Sequence, residues 1–260
     1  MGQQLQNRVA AITGGTAGIG LGIAQSFLAE GANVVLMARN AEKAEGVLQA
    51  LDAGDRATFY AGDVMDQASV EGLVDHAVEH FGGIDILVNN AGGAGDLQPL
   101  MELSDDTFDE TMKWNVYSTF WATRRALKHM VPKGFGRVIN ISSTEGKVGK
   151  PVMTAYSTAK HAVNGMTKAV AQEVGEAGVT VNAICPGLVI TDIVKDNGPA
   201  TAEAMGITFD EMVAMFASES AIKRPNTVEE VAAMALLLAS DAGAGITGAM
   251  LSVDGGTAPY

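Results

Sequence analysis

Tyr156 and Lys160 stand four residues apart in the run Thr154-Ala155-Tyr156-Ser157-Thr158-Ala159-Lys160. On a helix, positions i and i+4 share a face, so this spacing predicts an ammonium held beside a phenol. A free tyrosine titrates near ~10 and is a poor base at neutral pH. A fixed cation favours the phenolate, so the expectation is a phenol pKa lowered toward the working range. Such a pair can give a proton to a substrate oxygen or take one from it. Tyr-x-x-x-Lys also occurs on solvated helices without function, so the rest of the chain must supply the setting.

A glycine loop supplies part of it. Residues 9–13 read as a strand that runs into Thr13-Gly14-Gly15-Thr16-Ala17-Gly18-Ile19-Gly20, and a helical pattern follows. Gly14, Gly18 and Gly20 allow a tight turn and a close approach of backbone to a ligand. The helix N-terminus would present free N–H groups and a positive dipole end to a pyrophosphate. Thr16 and Ile19 fall in the same cradle and are candidate contacts. The spacing is Gly-x-x-x-Gly-x-Gly rather than the commoner Gly-x-Gly-x-x-Gly. At the end of the second strand, an acidic side chain would accept the ribose hydroxyls of NAD(H). Ala38 and Arg39 occupy that place. A cation without an anion there favours NADP(H). Ala17 adds no second cation, so NAD(H) stays open.

The elements that must position these groups read as strands at 9–13, 33–37, 58–61, 84–89, 137–142, 180–185 and 250–253. Several are apolar throughout, as in a parallel sheet covered on both faces. Helical patterns lie between them. Gly31 is read as the C-cap of the first helix, Asp66 as an N-cap, and Thr227 with Glu230 as a capping box. This alternation predicts one doubly wound α/β (Rossmann) domain over 1–260, with a seven-stranded parallel sheet. About forty residues follow the sixth strand. They hold Gly198-Pro199, a second capping box at Thr208, and Phe209, Met212, Val213 and Phe216 at helical spacing. This insertion, about 188–222, is read as a lid.

Composition narrows the partners. A length of 260 residues, 47% of them hydrophobic and 18% charged, suits a buried α/β core. The formal net charge of −13 repels nucleic acid and anionic membranes. No apolar run reaches the ~18 residues of a membrane span, and no secretory signal is expected in Met1–Arg8. Cys185 is the only cysteine, which fits a reducing cytoplasm and excludes intramolecular disulfides. His76, His80, His129 and His161 are read as solvated helix residues, and no metal site is expected.

In this order, Thr13-Gly14-x-x-x-Gly18-x-Gly20, Asp63, Asn89-Asn90-Ala91-Gly92, Asn115, Ser143, Tyr156-x-x-x-Lys160 and Pro186-Gly187-x-x-x-Thr191 resemble the short-chain dehydrogenase/reductase family, in its single-domain branch. The resemblance covers nearly the whole chain. It implies hydride transfer between a nicotinamide and a carbonyl or secondary alcohol. Tyr156 would be the proton donor or acceptor. Lys160 would tune it and bond the nicotinamide ribose. Ser143 would orient the substrate oxygen, and Asn115 would hold a relay water. Ser142 is read as structural. Asp63 would accept from the adenine amino group, with Val64 lining that pocket. Asn90, Ala91 and Gly92 would pass the adenosine ribose; Pro186, Gly187 and Thr191 would frame the nicotinamide. A homotetramer is also implied. Within the family, Ser142–Lys147, the long insertion and residues 255–260 are similar to aromatic polyketide ketoreductases. β-Ketoacyl reductases are near relatives.

Met205, Met212 and Met215, with Ile207, Phe209 and Phe216, point to a fairly apolar or acyl-type substrate. Lys147 and Lys150 could meet a substrate carboxylate or phosphate but are read as solvated loop lysines. Trp114, Tyr117 and Trp121, with Phe120, form an aromatic stripe that should divide between the sheet and a subunit contact. Alternatives are an NAD-dependent secondary-alcohol or 3-hydroxyacyl dehydrogenase, a lyase or epimerase, and a non-catalytic dinucleotide-binding regulator.

Overall fold

Val9–Thr13 is buried at every position, which an apolar strand can satisfy only between two covered faces. In a computed structural model, which describes residues 3–258, this run is β1. The others are β2 (Asn33–Ala38), β3 (Ala57–Ala61), β4 (Ile86–Asn89), β5 (Gly136–Ile141), β6 (Val179–Pro186) and β7 (Met250–Val253). They form one seven-stranded sheet in the order β3-β2-β1-β4-β5-β6-β7. All its pairings are parallel. The predicted strands match these within two residues at each end. The main difference is at 84–85, where the Asp85 side chain accepts from the Val9 N–H at 2.9 Å and the ladder begins only at Ile86.

The two-residue period of the strands divides the core in two. Ala10, Ile12, Val34, Leu36 and Val88 face α1 (Gly18–Ala29) and α9 (Val228–Ala239) through Ile23, Phe27, Val231 and Ala235. Val9, Ala11, Val35, Met37 and Leu87 face the other way. There they meet α3 (Gln67–Phe81), α5 (Ser118–Lys133) and α6 (Thr154–Val174) through Leu73, Ala122 and Val174. α2 (Ala41–Leu51) and α4 (Asp105–Met112) complete the body. The described residues contain no helix long and apolar enough to cross a membrane.

The predicted caps form. Asp66 accepts from the Ser69 N–H at 2.8 Å, and Thr227 makes a reciprocal box with Glu230. The first helix is capped one residue earlier than expected, by Glu30, and Gly31 follows in the left-handed region at φ 90°. The helical insertion holds α7 (Asp192–Ala204) and α8 (Phe209–Glu219), the latter opened by the Thr208 box. No element is read from the sequence over α7, and its Gly198-Pro199 pair would weaken an isolated helix. Tertiary packing overrides that signal. A Cβ on Gly198 would lie 2.3 Å from Phe209 Cε2, so glycine lets α8 close against α7, while Pro199 faces outward.

The solvated reading of the histidines fails for two. His76 and His129 are half-buried, and the Nε2 of each is buried without a partner. His76 lies between the rings of Tyr60 and His80, and burial lowers its pKa. Residues Met1, Gly2, Pro259 and Tyr260, which fall in the terminal segments read above, lie outside the described residues.

Candidate active site

The loop after β1 is built to bring backbone close to something. Gly14 and Gly18 sit at φ 64° and 51°, where a side chain would be strained. The Thr13 hydroxyl accepts from the N–H groups of Asn90 and Ala91, each at 3.0 Å. Asn90 Nδ2 donates back to the carbonyls of Thr13 and Gly14 at 3.0 and 3.1 Å. Those bonds clamp the loop onto the end of β4, across the point where strand order reverses. Gly20 serves packing, since a Cβ there would meet the Gly14 carbonyl at 2.4 Å. Thr16 is buried and Ile19 packs on the core beneath the loop. Thr191, which begins α7, comes within 3.1 Å of the place a Gly18 Cβ would take.

These features fit a dinucleotide. α2, α3, α4, α8 and α9 each open on a side chain that accepts a backbone N–H. α1 opens on Ala17 with no such cap and no acidic residue in its first turn, as α6 does on Met153, but α1 alone of the two follows the glycine loop. Its N–H groups and dipole are therefore left to an anion. Arg39 is exposed just past β2. Asp63 and Val64 are half-buried after β3. One Asp63 oxygen accepts from the Met65 N–H at 2.9 Å, and Val64 packs on the core. Gly187 lies against Asp254, whose Cα would be 2.9 Å from an added Cβ.

A second cluster forms beside the loop. Between α4 and α5 the chain makes a five-residue π turn, Lys113–Tyr117, with Asn115 buried in it. The sequence carries no evident signal for this turn; such bulges add a residue without ending the helix. Asn115 Nδ2 donates to the carbonyls of Gly93 and Thr111 at 3.0 and 2.9 Å, and its Oδ1 accepts from the Gly93 N–H at 3.2 Å. A Cβ on Gly92 would lie 2.5 Å from that oxygen and 3.4 Å from Lys160 Nζ. Lys160 is buried on α6, one turn beyond Tyr156, and its ammonium is 5.5 Å from the phenol ring centre. Ser143, just past β5, lies close enough to the Tyr156 phenol to influence its charge. Asn115 and Lys160 thus flank Gly92, with Tyr156 beside Lys160 and Ser143 beside Tyr156.

The electrostatics correct one expectation. Tyr156 was expected to have a lowered pKa beside Lys160. It is instead raised well above the ordinary phenol value, because burial penalises the phenolate. The neighbouring Ser143 hydroxyl pulls it down, while Glu145 and Cys185 push it up. Lys160 is lowered to about 8, again by burial, against the raising effects of Cys185 and Glu145. Its ammonium points at the Ile141 carbonyl, 2.9 Å away, rather than at the phenol. Cys185 is a free, buried thiol raised by burial.

Glu145 was missed. It follows Ser143 by two positions, where a lone acidic residue reads as solvent-facing, yet it is 8% exposed. The Ser143 hydroxyl donates to Glu145 Oε2, as does Thr144 Oγ1 at 3.0 Å. Lys150 stands 3.7 Å from Glu145 Oε1 and 2.7 Å from Glu219 of α8, with its ammonium over the Phe216 ring. Lys147 donates to Ser252 at 2.8 Å. Neither lysine is a solvated loop residue, because α8 and β7 close over this segment. Ser142 donates to the Lys160 carbonyl at 3.4 Å, in keeping with a structural role.

The outer wall of the cluster is apolar. Trp114 packs beneath Gly93, within 2.6 Å of an added Cβ. Met212 is buried between the insertion's helices, whereas Met205 and Met215 stay partly exposed. On α5 the aromatic stripe divides as expected, with Trp121 buried, and Phe120 and the adjacent Tyr117 exposed.

Comparison with known proteins agrees with this arrangement. A family model described as short chain dehydrogenase matches residues 8–202. The chain is 39% identical over 254 residues to D-beta-hydroxybutyrate dehydrogenase of Rhizobium meliloti (strain 1021), covering 96% of this chain and 98% of that one. It is 35% identical over 254 residues to L-2,3-butanediol dehydrogenase of Corynebacterium glutamicum, with the same coverage. A crystal structure of an actinorhodin polyketide ketoreductase variant with NADPH superposes with a TM-score of 0.93 at 36% identity, covering all of both chains.

Proposed function

Because this chain belongs to the short-chain dehydrogenase family, we propose that it reduces a fairly apolar or acyl-type ketone to a secondary alcohol with NADPH. It is an oxidoreductase of hydroxyl and keto groups; the direction, cofactor and substrate are the proposal. The observation that carries it is the grouping of Asn115 and Lys160 at Gly92, with Tyr156 and Ser143 next to them, beside a glycine loop that Thr191 touches. The bound dinucleotide supplies the hydride at its nicotinamide ring.

Residues of this chain do the rest. Gly14, Thr16, Gly18, Ile19 and Gly20 would hold the pyrophosphate, and Asn90, Ala91 and Gly92 would pass the adenosine ribose. Asp63 and Val64 would take the adenine. Pro186, Gly187 and Thr191 would frame the nicotinamide, while Lys160 and Tyr156 would bind its ribose. Ser143 orients the substrate oxygen, its hydroxyl proton turning from Glu145 to that oxygen as charge develops there. Tyr156 gives that oxygen a proton. Its pKa is raised because burial disfavours the phenolate, so the protonated, donating form is the favoured one. Arg39, exposed at the end of β2, would meet a 2′-phosphate. The NADPH in the ketoreductase structure supports that preference.

A homotetramer in the cytoplasm belongs to the same proposal. Tyr117 and Phe120, 51% and 41% exposed on adjoining turns, are available to a second copy.

A matrix of NADPH and NADH against diverse ketones and secondary alcohols, followed by absorbance of the reduced nicotinamide, tests the reading. Net consumption of NADPH with at least one ketone is expected. Oxidation of alcohols with NAD and no ketone reduction would replace it with the dehydrogenase alternative. A pH profile adds a second check. Lys160 loses its proton above about 8, so reduction should hold steady below that pH and fall above it. Undiminished kcat/KM a full unit above that value would remove the Lys160 charge from the mechanism.

A further inference from the structure

Glu145 has no part in the proton transfer just described, yet it is a buried carboxylate at the edge of the site. We propose that Glu145 is a charge filter: it turns away substrates with a carboxylate close to the reacting carbonyl and admits neutral ones. This deepens the ketone-reductase reading and rests on it.

The geometry is direct. Glu145 Oε2 receives the Ser143 hydroxyl, and Ser143 and Glu145 both act on the charge of the Tyr156 phenol. A carbonyl oxygen placed between Ser143 and Tyr156 therefore lies one hydroxyl away from a negative charge. That charge is already felt in the site, since it makes both Tyr156 and Lys160 harder to deprotonate. An anionic group brought to the same phenol would feel it in the same sense.

The neighbouring cations do not cancel it. Lys150 divides itself between two carboxylates and stands nearer to Glu219, at 2.7 Å, than to Glu145, at 3.7 Å. Lys147 is bonded to Ser252, and Lys160 to the Ile141 carbonyl. At ~6 Å and an effective dielectric of ~20, like charges lower an association constant by roughly a hundredfold. Partial neutralisation by Lys150 and solvent should leave about tenfold. A 3-hydroxy acid anion, the substrate in the name of the Rhizobium meliloti relative, would be disfavoured here despite the sequence identity.

The probe pair is acetoacetate and acetoacetamide, which match in shape and differ in charge. With NADPH, kcat/KM of the native chain should favour the amide by about tenfold or more. In Glu145→Gln the amide-to-acid ratio should fall toward one, whatever the absolute rates do. Glu145→Ser, which also removes the charge, must lower the ratio in the same sense. A purely structural role would slow both substrates together and leave the ratio unmoved, which overturns the filter. So would a native ratio near one. If neither probe is reduced, the two are compared as competitive inhibitors of a ketone that is. Tighter inhibition by the amide, lost in Glu145→Gln, supports the filter, and equal inhibition of the native chain overturns it. Failure to reduce any ketone would sink the reductase reading instead. Calorimetric titration of the NADP-loaded protein with the same pair would then judge the filter by the same ratio.

Discussion

Tyr156→Phe should lower kcat for ketone reduction by ~10²- to 10⁴-fold while leaving dinucleotide affinity within about threefold. The substitution keeps the ring that packs beside Lys160 and removes only the group that carries the proton. Ser143 keeps its partner, because its hydroxyl donates to Glu145, not to the phenol. Lys160 keeps its bond to Ile141. The phenol has no substitute nearby: Cys185 holds its proton by burial, and the Lys160 ammonium is turned to a carbonyl. Loss of an interaction made only in the transition state lowers kcat without weakening ground-state binding. Steady-state kinetics with calorimetric titration of the cofactor separate the two quantities. Native turnover in this variant would mean that another group protonates the substrate.

Arg39→Ala should weaken NADPH by roughly tenfold to a hundredfold and change NADH by no more than about twofold. A charge-assisted bond to phosphate is worth ~1.5–3 kcal/mol, and only NADPH has a phosphate at the 2′ position. The substitution should spare the fold. Arg39 is exposed, and the next helix is capped independently by Asn40, whose side chain accepts from the Lys43 N–H at 2.8 Å. Alanine already precedes it at 38, so no acidic group is uncovered that would favour NADH. Dissociation constants from quenching of protein fluorescence by each cofactor give the comparison. Equal losses for both would defeat the 2′-phosphate role and restore NAD(H) as the cofactor.

Much of the frame was legible because it depends on local chemistry. β1 had to be buried on both faces, and Ala10 and Ile12 do point away from Val9 and Ala11. Asp66, Thr208 and Thr227 start helices where their side chains reach the orphan N–H groups. The glycine loop needed left-handed residues, and Gly14 and Gly18 take that conformation. What was misread or left unread depended on partners distant in sequence. Gly198-Pro199 breaks a helix in isolation, but Phe209 packs into the space that glycine leaves. Lys150 looks solvated until Glu219 and Phe216 arrive from α8.

The sequence alone determined the kind of protein this is. Residue types in a fixed order specify the parallel sheet, the phosphate-facing turn and the phenol–ammonium pair, since each follows from backbone propensity or side-chain chemistry. Tertiary structure alone decided how that pair is charged. Spacing says that Tyr156 and Lys160 share a helix face, but pKa depends on everything packed around them. Burial raises one and lowers the other, and Glu145 adds a carboxylate that no local pattern marks as internal. Solvation is a property of the folded surroundings, and it is assembled from segments that the chain keeps far apart.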